Sequence, residues 1–190
     1  MRILGFDPSM RNWGIAKAAY SPDTGIQIDS ISVIQPDVTK CKSVRVNSRD
    51  LQIATILCSE IAIVIEQVKP HIVFAEIPIG SQSARSMAGY GMCIGILSSL
   101  RATGVTIYEV TPTEVKLATV GTKTATKSQM ISWAYDTYPG INWPMYKKGG
   151  LSCVCESKAE HMADAIATIH AGINSSEFKQ IWNISKQFTN

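Results

Sequence analysis

Arg2-Ile-Leu-Gly-Phe-Asp7-Pro-Ser-Met-Arg-Asn-Trp13-Gly14-Ile-Ala-Lys-Ala-Ala-Tyr20 opens the chain with two strand-like runs on either side of a turn. Residues 2–6 are apolar enough for a buried strand, and Asp7-Pro8-Ser9 interrupts it. Trp13 to Tyr20 reads as a second strand, and Ser21-Pro-Asp-Thr-Gly25 as a turn built from the residues that favour turns. Ile26 to Ile34 follows as a third strand. Its alternation runs through Ile26 and Ile28, slips at Asp29–Ser30, and resumes at Ile31 and Val33. Three consecutive strands joined by short turns predict antiparallel neighbours, the last two a hairpin.

Beyond residue 34 the apolar period changes. Leu51, Ala54, Ile56, Leu57, Ile61, Val64, Ile65 and Val68 form a helical stripe, which Asn47 or Ser48 can cap and Pro70 ends. His71 to Ala75 is a short continuous apolar run, as in a buried parallel strand, with Glu76 at its C-terminal end. Ser81 to Ala102 reads as a helix with Ala84, Ala88, Gly91, Gly95, Ser98 and Ala102 on one face. That face suits close packing against another element, or secondarily a dimer contact. Val105 to Val110 is a strand, and Thr111-Pro112-Thr113-Glu114 opens a short helix with proline in its first turn. Thr124 to Tyr138 reads as helix and 139–156 as a loop. Ser157 to Gly172 is a helix ended by Gly172, and Ser175 or Ser176 caps a last helix to about Phe188. The order predicts an α/β fold: a mixed five-stranded sheet, three antiparallel strands then two parallel, with helices on both faces.

The 190 residues, 45% hydrophobic and 17% charged, suit one folded domain and exclude a disordered or fibrous chain. The net charge of +3 permits nucleic acid as a partner without requiring it. Basic residues group at Lys40, Lys42, Arg45 and Arg49, at Lys116, Lys123 and Lys127, and at Lys147 and Lys148. Each group alone reads as a solvated face. Five cysteines, an odd number without regular spacing, argue against a disulfide framework and for a reducing cytoplasm. No signal peptide is visible, and the run Ile61 to Ile65 is too short to span a bilayer, so a soluble cytoplasmic protein without a membrane partner is expected.

The acids carry the chemistry. Asp7 ends the first strand and Glu76 the fourth. If those strands are parallel neighbours, both carboxylates emerge at the sheet edge where open α/β sheets place their sites. His161 and Asp164, three apart, share a helix face, and Glu160 borders it. Three carboxylates and an imidazole make a hard, oxygen-rich site suited to Mg²⁺, with Mn²⁺ able to substitute, and to phosphodiester hydrolysis. Cys153, Cys155 and His161 lack a clear fourth ligand for zinc, and His71 and His170 read as structural.

Four segments together resemble the RuvC-type Holliday junction resolvases of the ribonuclease-H-like superfamily. Ile3-Leu-Gly-Phe-Asp7-Pro-Ser-Met-Arg11-Asn-Trp-Gly14 is similar to their opening strand, and Val73-Phe-Ala-Glu76 to their second acidic strand. Thr111-Pro112-Thr-Glu-Val-Lys116, Val120-Gly121 and Lys127-Ser128-Gln129 resemble their basic segment, and His161-Met-Ala-Asp164-Ala165 their final helix. The resemblance runs from residue 1 to about 172. It implies a ribonuclease-H-like nuclease domain over 1–172, with a loop insertion at about 139–156, and a C-terminal helix at 173–190.

The resemblance also implies roles. Asp7, Glu76, His161 and Asp164 match the metal-binding catalytic set, with Glu160 an alternative ligand to His161. Lys116 and Lys127 match basic residues that hold or stabilise the reacting phosphate; Lys123, Arg85 and the 40–49 stretch are further DNA-contact candidates. A homodimer making paired symmetric nicks in a four-way junction is implied, with a branch-migration helicase left open as a partner. The chain departs from the family at Ser9, where many members have glycine. It departs again after Glu76, where Ile77-Pro78-Ile79-Gly80 is short and lacks an aromatic residue; Ile79 stands where an aliphatic wedge into DNA would replace it. Trp143, Tyr146, Lys147 and Lys148 in the insertion suit either nucleic-acid contact or packing of the loop. Rival readings are a nuclease of the same fold acting on other branched DNA, RNA–DNA hybrid or precursor ribosomal RNA, and a non-catalytic junction-binding protein. A sugar-kinase or actin-like ATPase would need a second glycine-rich phosphate loop, which the sequence lacks.

Overall fold

In the computed structural model, which describes residues 1–38, 43–149 and 151–187, the opening runs form β1 (Arg2–Asp7), β2 (Trp13–Ser21) and β3 (Gly25–Ile34). β1 pairs antiparallel with β2, and β2 with β3. β4 (Ile72–Glu76) joins the free side of β1 in parallel, and β5 (Ile107–Val110) joins β4 in parallel. The order β3-β2-β1-β4-β5 is the expected mixed sheet. The slip at Asp29–Ser30 is a β-bulge: Lys17 faces Ser30 and Ala18 faces Ile28, so Asp29 is the extra residue.

The described residues form six helices: α1 (Val46–Val68), α2 (Ala84–Ala102), α3 (Pro112–Thr119), α4 (Lys127–Thr137), α5 (Glu156–Asn174) and α6 (Ser176–Gln187). The strand period of two sorts the core between them. Leu4, Phe6, Trp13, Ile15, Val73 and Ala75 point to one face and pack with Leu57 and Ile61 of α1 and Cys93, Ile96 and Leu97 of α2. Ile3, Ala16, Ala18, Ile72 and Phe74 point to the other and pack with Ala163, Ile166 and Ile169 of α5 and Phe178 of α6. Asp7 continues the parity of Ile3 and Gly5, and Glu76 that of Ile72 and Phe74. Both carboxylates therefore belong to the α5 face as well as to one edge.

α5 rests on the sheet almost backbone to backbone. A Cβ at Gly5 would collide with the Ala165 carbonyl, one at Gly14 with the His161 carbonyl, and one at Gly172 with the Phe74 ring. Gly172 thus does not end the helix as expected. It lies inside α5 because the Phe74 ring needs its space, and the helix continues to Asn174. The Ser175 hydroxyl then accepts from the Phe178 N–H and starts α6.

Other expectations need correction. α1 begins after Arg45 without a side-chain cap, so neither Asn47 nor Ser48 caps it. At its far end the Arg2 guanidinium donates to the Val68 and Lys69 carbonyls, and Lys69 turns left-handed at φ 47°. Among the described residues α1 is the one helix long and apolar enough to cross a bilayer; here it lies along the sheet through Leu57 and Ile61. The segment 139–156 is not a plain loop but carries a two-stranded hairpin, β6 (Met145–Lys148) and β7 (Leu151–Val154). Its aromatics divide: Trp143 is buried in the core with its ring N–H on the Tyr138 carbonyl, while Tyr146 is exposed. Among the described residues nothing covers the small-residue face of α2: all six residues are exposed, and Gly91 and Gly95 have open space before them. Lys40, Cys41 and Lys42 lie outside the described residues, as do the side chains of Lys148 and Cys153.

Candidate active site

Asp7 and Glu76 end adjacent parallel strands whose register runs Phe6 to Ala75, so they emerge side by side. α5 brings His161 and Asp164 over them. His161 Nδ1 lies 2.6 Å from Asp7 Oδ2. A carboxylate only accepts, so Nδ1 is the donor, and in the neutral imidazole that leaves the lone pair on Nε2. Gly14, opposite Asp7 in the β1–β2 register, sets this approach, because its missing side chain admits the His161 backbone.

The charges interact strongly. Burial pushes the Glu76 carboxyl up to about 8, aided by the negative charges of Asp7 and Asp164. Burial likewise pushes Asp164 up to about 7, with Asp7 and Glu160 adding to it and His161 and Lys116 opposing. The hydrogen bond to Asp7 raises His161 against the opposing effect of burial. Crowded carboxyls that resist ionisation are the electrostatic pattern of a site that wants a cation. The donor set is hard oxygen plus one imidazole, which fits Mg²⁺ or Mn²⁺. Among the described residues, no three such side chains are drawn together closely enough to grip an ion.

Two lysines border the acids. Lys116, on α3, stands near enough for its charge to lower both Glu76 and Asp164. α3 is held by a capping box between Thr111 and Glu114, with Pro112 in the first turn. Lys127 is the first residue of α4, behind a second capping box between Thr126 and Gln129. Gln129, which the sequence offers as part of a family pattern, is thus helix-cap chemistry: its Oε1 accepts the Thr126 N–H at 2.8 Å. The Lys127 ammonium lies 2.6 Å from Glu160 Oε1. The two candidates for the fourth acid-site position are therefore separated by their contacts: His161 touches Asp7, and Glu160 touches Lys127.

The remaining candidates stand apart. Ile79 is 76% exposed in the turn after β4, where Gly80 takes φ 139°, a conformation open to glycine, and the Ser81 N–H meets Met87 Sδ at 3.1 Å. Lys123 is exposed between α3 and α4. Both terminal nitrogens of Arg85 are bound by the carboxylate of Asp50, which is 3% exposed at the start of α1. That pairing holds the Asp50 carboxyl below its ordinary range. Asp50 follows directly on the basic run ending at Arg49, and that adjacency is the signal by which it could have been found. His71 accepts the Arg2 N–H at Nδ1, and His170 pairs with the Tyr138 hydroxyl at 2.7 Å while burial lowers it to about 4; both are structural. The Cys155 thiol contacts the Ser157 hydroxyl at 3.5 Å.

No protein-family model matches the chain. Two curated sequences named crossover junction endodeoxyribonuclease RuvC are similar to it. That of Protochlamydia amoebophila is 29% identical over 129 residues, 67% of this chain and 71% of the relative. That of Chlorobaculum parvum is 29% identical over 133 residues, 70% of this chain and 66% of the relative. In fold the chain resembles Thermus thermophilus RuvC (TM-score 0.61, 18% identity, 90% of this chain and 92% of that one). The same protein has been solved in complex with a Holliday junction substrate, again at TM-score 0.61 and 18% identity, over 88% of this chain and 92% of that one. The yeast mitochondrial Holliday junction resolvase is similar over 98% of this chain and 84% of its own (TM-score 0.62, 18% identity). The likeness to RuvC-type resolvases read from the four segments thus holds in sequence and in fold.

Proposed function

We propose, from this kinship with the RuvC-type resolvases, that the chain is an endodeoxyribonuclease that resolves four-way DNA junctions by divalent-metal-assisted hydrolysis. The observation that carries the reading is the convergence of Asp7, Glu76 and Asp164 at one sheet edge, with His161 seated on Asp7. Relatives of similar sequence bear the crossover-junction nuclease name, and a structure of similar fold holds a junction.

Asp7, Glu76, Asp164 and the Nε2 of His161 are the atoms that would hold Mg²⁺ or Mn²⁺. Such ions activate water and stabilise the leaving oxygen in phosphodiester hydrolysis. The residues of the chain do the rest. Asp7 orients the His161 ring through Nδ1, Lys116 stands where negative charge on the phosphate develops, and Lys127 waits at the rim. Lys123 and Arg85 extend the basic surface, Arg85 with its guanidinium oriented by Asp50. Ile79, exposed on its turn, is the apolar group placed to enter between bases.

The partner arrangement is a homodimer joined through the exposed small-residue face of α2, where Met87 and Ile94 add exposed apolar surface. A two-fold pair matches a junction that needs two symmetric cuts. We place its action in the cytoplasm, of a bacterium or of a host cell.

The test is cleavage of labelled four-way junction, flap, linear duplex and RNA–DNA hybrid, with Mg²⁺ or with EDTA. Junction cut into paired nicked products in Mg²⁺ supports the reading; junction ignored while hybrid is degraded moves the chain to another nuclease of this fold. Asp7→Asn and Glu76→Gln should bind junction and leave it uncut, and cutting that survives both removes the assigned site.

A further inference from the structure

Lys127 sits at an electrostatically awkward place. It opens α4, where the helix dipole presents partial positive charge and disfavours a cation, and the first turn of α4 contains no acid. Its compensation comes from another element: Glu160 of α5, at 2.6 Å. The lysine side chain is 77% exposed and the glutamate 24%, so the pair lies on the rim of the site. An ion pair this exposed contributes little to global stability. The negative charges of Asp164 and Asp7 also reach the ammonium, which puts it within electrostatic range of the acid cluster.

We propose that Glu160 is a positioning residue that parks the Lys127 ammonium at the rim of the acid cluster until a DNA phosphate takes over as its partner. The inference rests on the nuclease reading above and deepens it. A lysine on a flexible four-carbon stem, without Glu160, would either sweep solvent or fold inward onto Asp7 and Asp164. In the first case it arrives late at the reacting phosphate; in the second it competes with the cation for the same oxygens. Glu160 prevents both and remains exchangeable, because a surface carboxylate surrenders an ammonium to an incoming phosphodiester without breaking the fold. Its neighbour His161 faces Asp7, so one turn of α5 aims one side chain at the acids and the next at the lysine.

The experiment compares wild type, Glu160→Gln, Lys127→Ala and the double variant by four readouts. Single-turnover cutting of a four-way junction should slow about tenfold in Glu160→Gln, less than the roughly 10²–10³ that loss of a charge-stabilising donor costs. The double variant should cut no more slowly than Lys127→Ala, while junction affinity of Glu160→Gln stays equal or tightens. Mn²⁺ titrated into the DNA-free protein should bind Glu160→Gln/Lys127→Ala and Lys127→Ala alike. The ¹⁵Nζ ammonium resonance of Lys127 in lysine-labelled protein, assigned by its loss in Lys127→Arg, should be visible in wild type and broaden in Glu160→Gln. Multiplicative losses in the double variant, or Mn²⁺ binding weakened by Glu160→Gln when Lys127 is already absent, overturn the proposal and make Glu160 an independent group or a metal ligand. If wild type cuts no nucleic acid, the nuclease reading fails by itself, and the ammonium resonance still reports whether the Lys127–Glu160 pair exists.

Discussion

Glu76 and Asp164 give the metal-free protein a pH dependence whose sign is fixed by the direction of their shifts. Both carboxyls hold a proton more tightly in the folded chain than in the unfolded one, Glu76 up to about 8 and Asp164 up to about 7. Their protonation therefore favours the fold at low pH, and that advantage is lost as pH rises through 7 to 8. His161, also raised, acts in the same direction. The melting temperature in EDTA should fall between pH 6 and 8.5, and Mg²⁺ should restore it more at pH 8.5 than at pH 6, because a cation binds the ionised acids. Glu76→Gln should flatten the EDTA profile; a wild-type profile already flat would show that the acids do not crowd. Lys116→Ala should lower the salt dependence of junction binding by about one unit of log–log slope if its ammonium neutralises one phosphate. Much of this was legible in the sequence, since period-two parity from Ile3 and Ile72 already aims Asp7 and Glu76 at one face. The split between Glu160 and His161 was not. Adjacent helical residues point about 100° apart, and only the seating of α5 on the sheet decides which of them meets the acids.

At the scale of elements, α5 is placed by glycine. Gly14→Ala pushes against the backbone carbonyl of His161 and cannot be absorbed by a side-chain rotation. It should destabilise the chain by about 1–3 kcal/mol, as overpacking does. It should also slow cleavage about 10²-fold, the cost of misplacing a reacting group by an ångström. Thermal melts and single-turnover rates in parallel would separate the two, and a variant that melts lower yet cuts at wild-type rate would detach Gly14 from the site. Thr126→Ala should cost about 1 kcal/mol by removing the α4 cap, and it tests whether the cap holds Lys127 in place. The capping boxes at Thr111 and Thr126 are readable from sequence because they are local. The β6–β7 hairpin is not, since its four-residue strands include Lys147 and Lys148, turn through Gly149 and lack a full apolar alternation. Gly172 misleads for the opposite reason: a glycine near a helix end suggests a cap, but here a distant phenylalanine requires it.

For the whole molecule, the sheet order followed from the order of strands and helices, but the destination of the α2 face did not. A stripe of small residues says that something can come close without saying whether it lies in the same chain. With the stripe exposed, Gly91→Arg and Gly95→Arg should leave the fold intact and convert a dimer to monomers in light scattering. Paired cutting of a junction should then decay into single nicks. A monomeric wild type would remove the two-fold arrangement.

Asp7 and His161 touch across 154 positions of sequence. During synthesis the residues of β1 to β5 leave the ribosome while the segment that becomes α5 is still unmade. The nascent chain can thus assemble a sheet with two acids at its edge and have no His161 or Asp164 to complete them. The proposed cutting ability would then arrive only when α5 settles onto Gly5 and Gly14. A truncation that spares the sheet but stops before residue 156 should fold in part and cut no DNA.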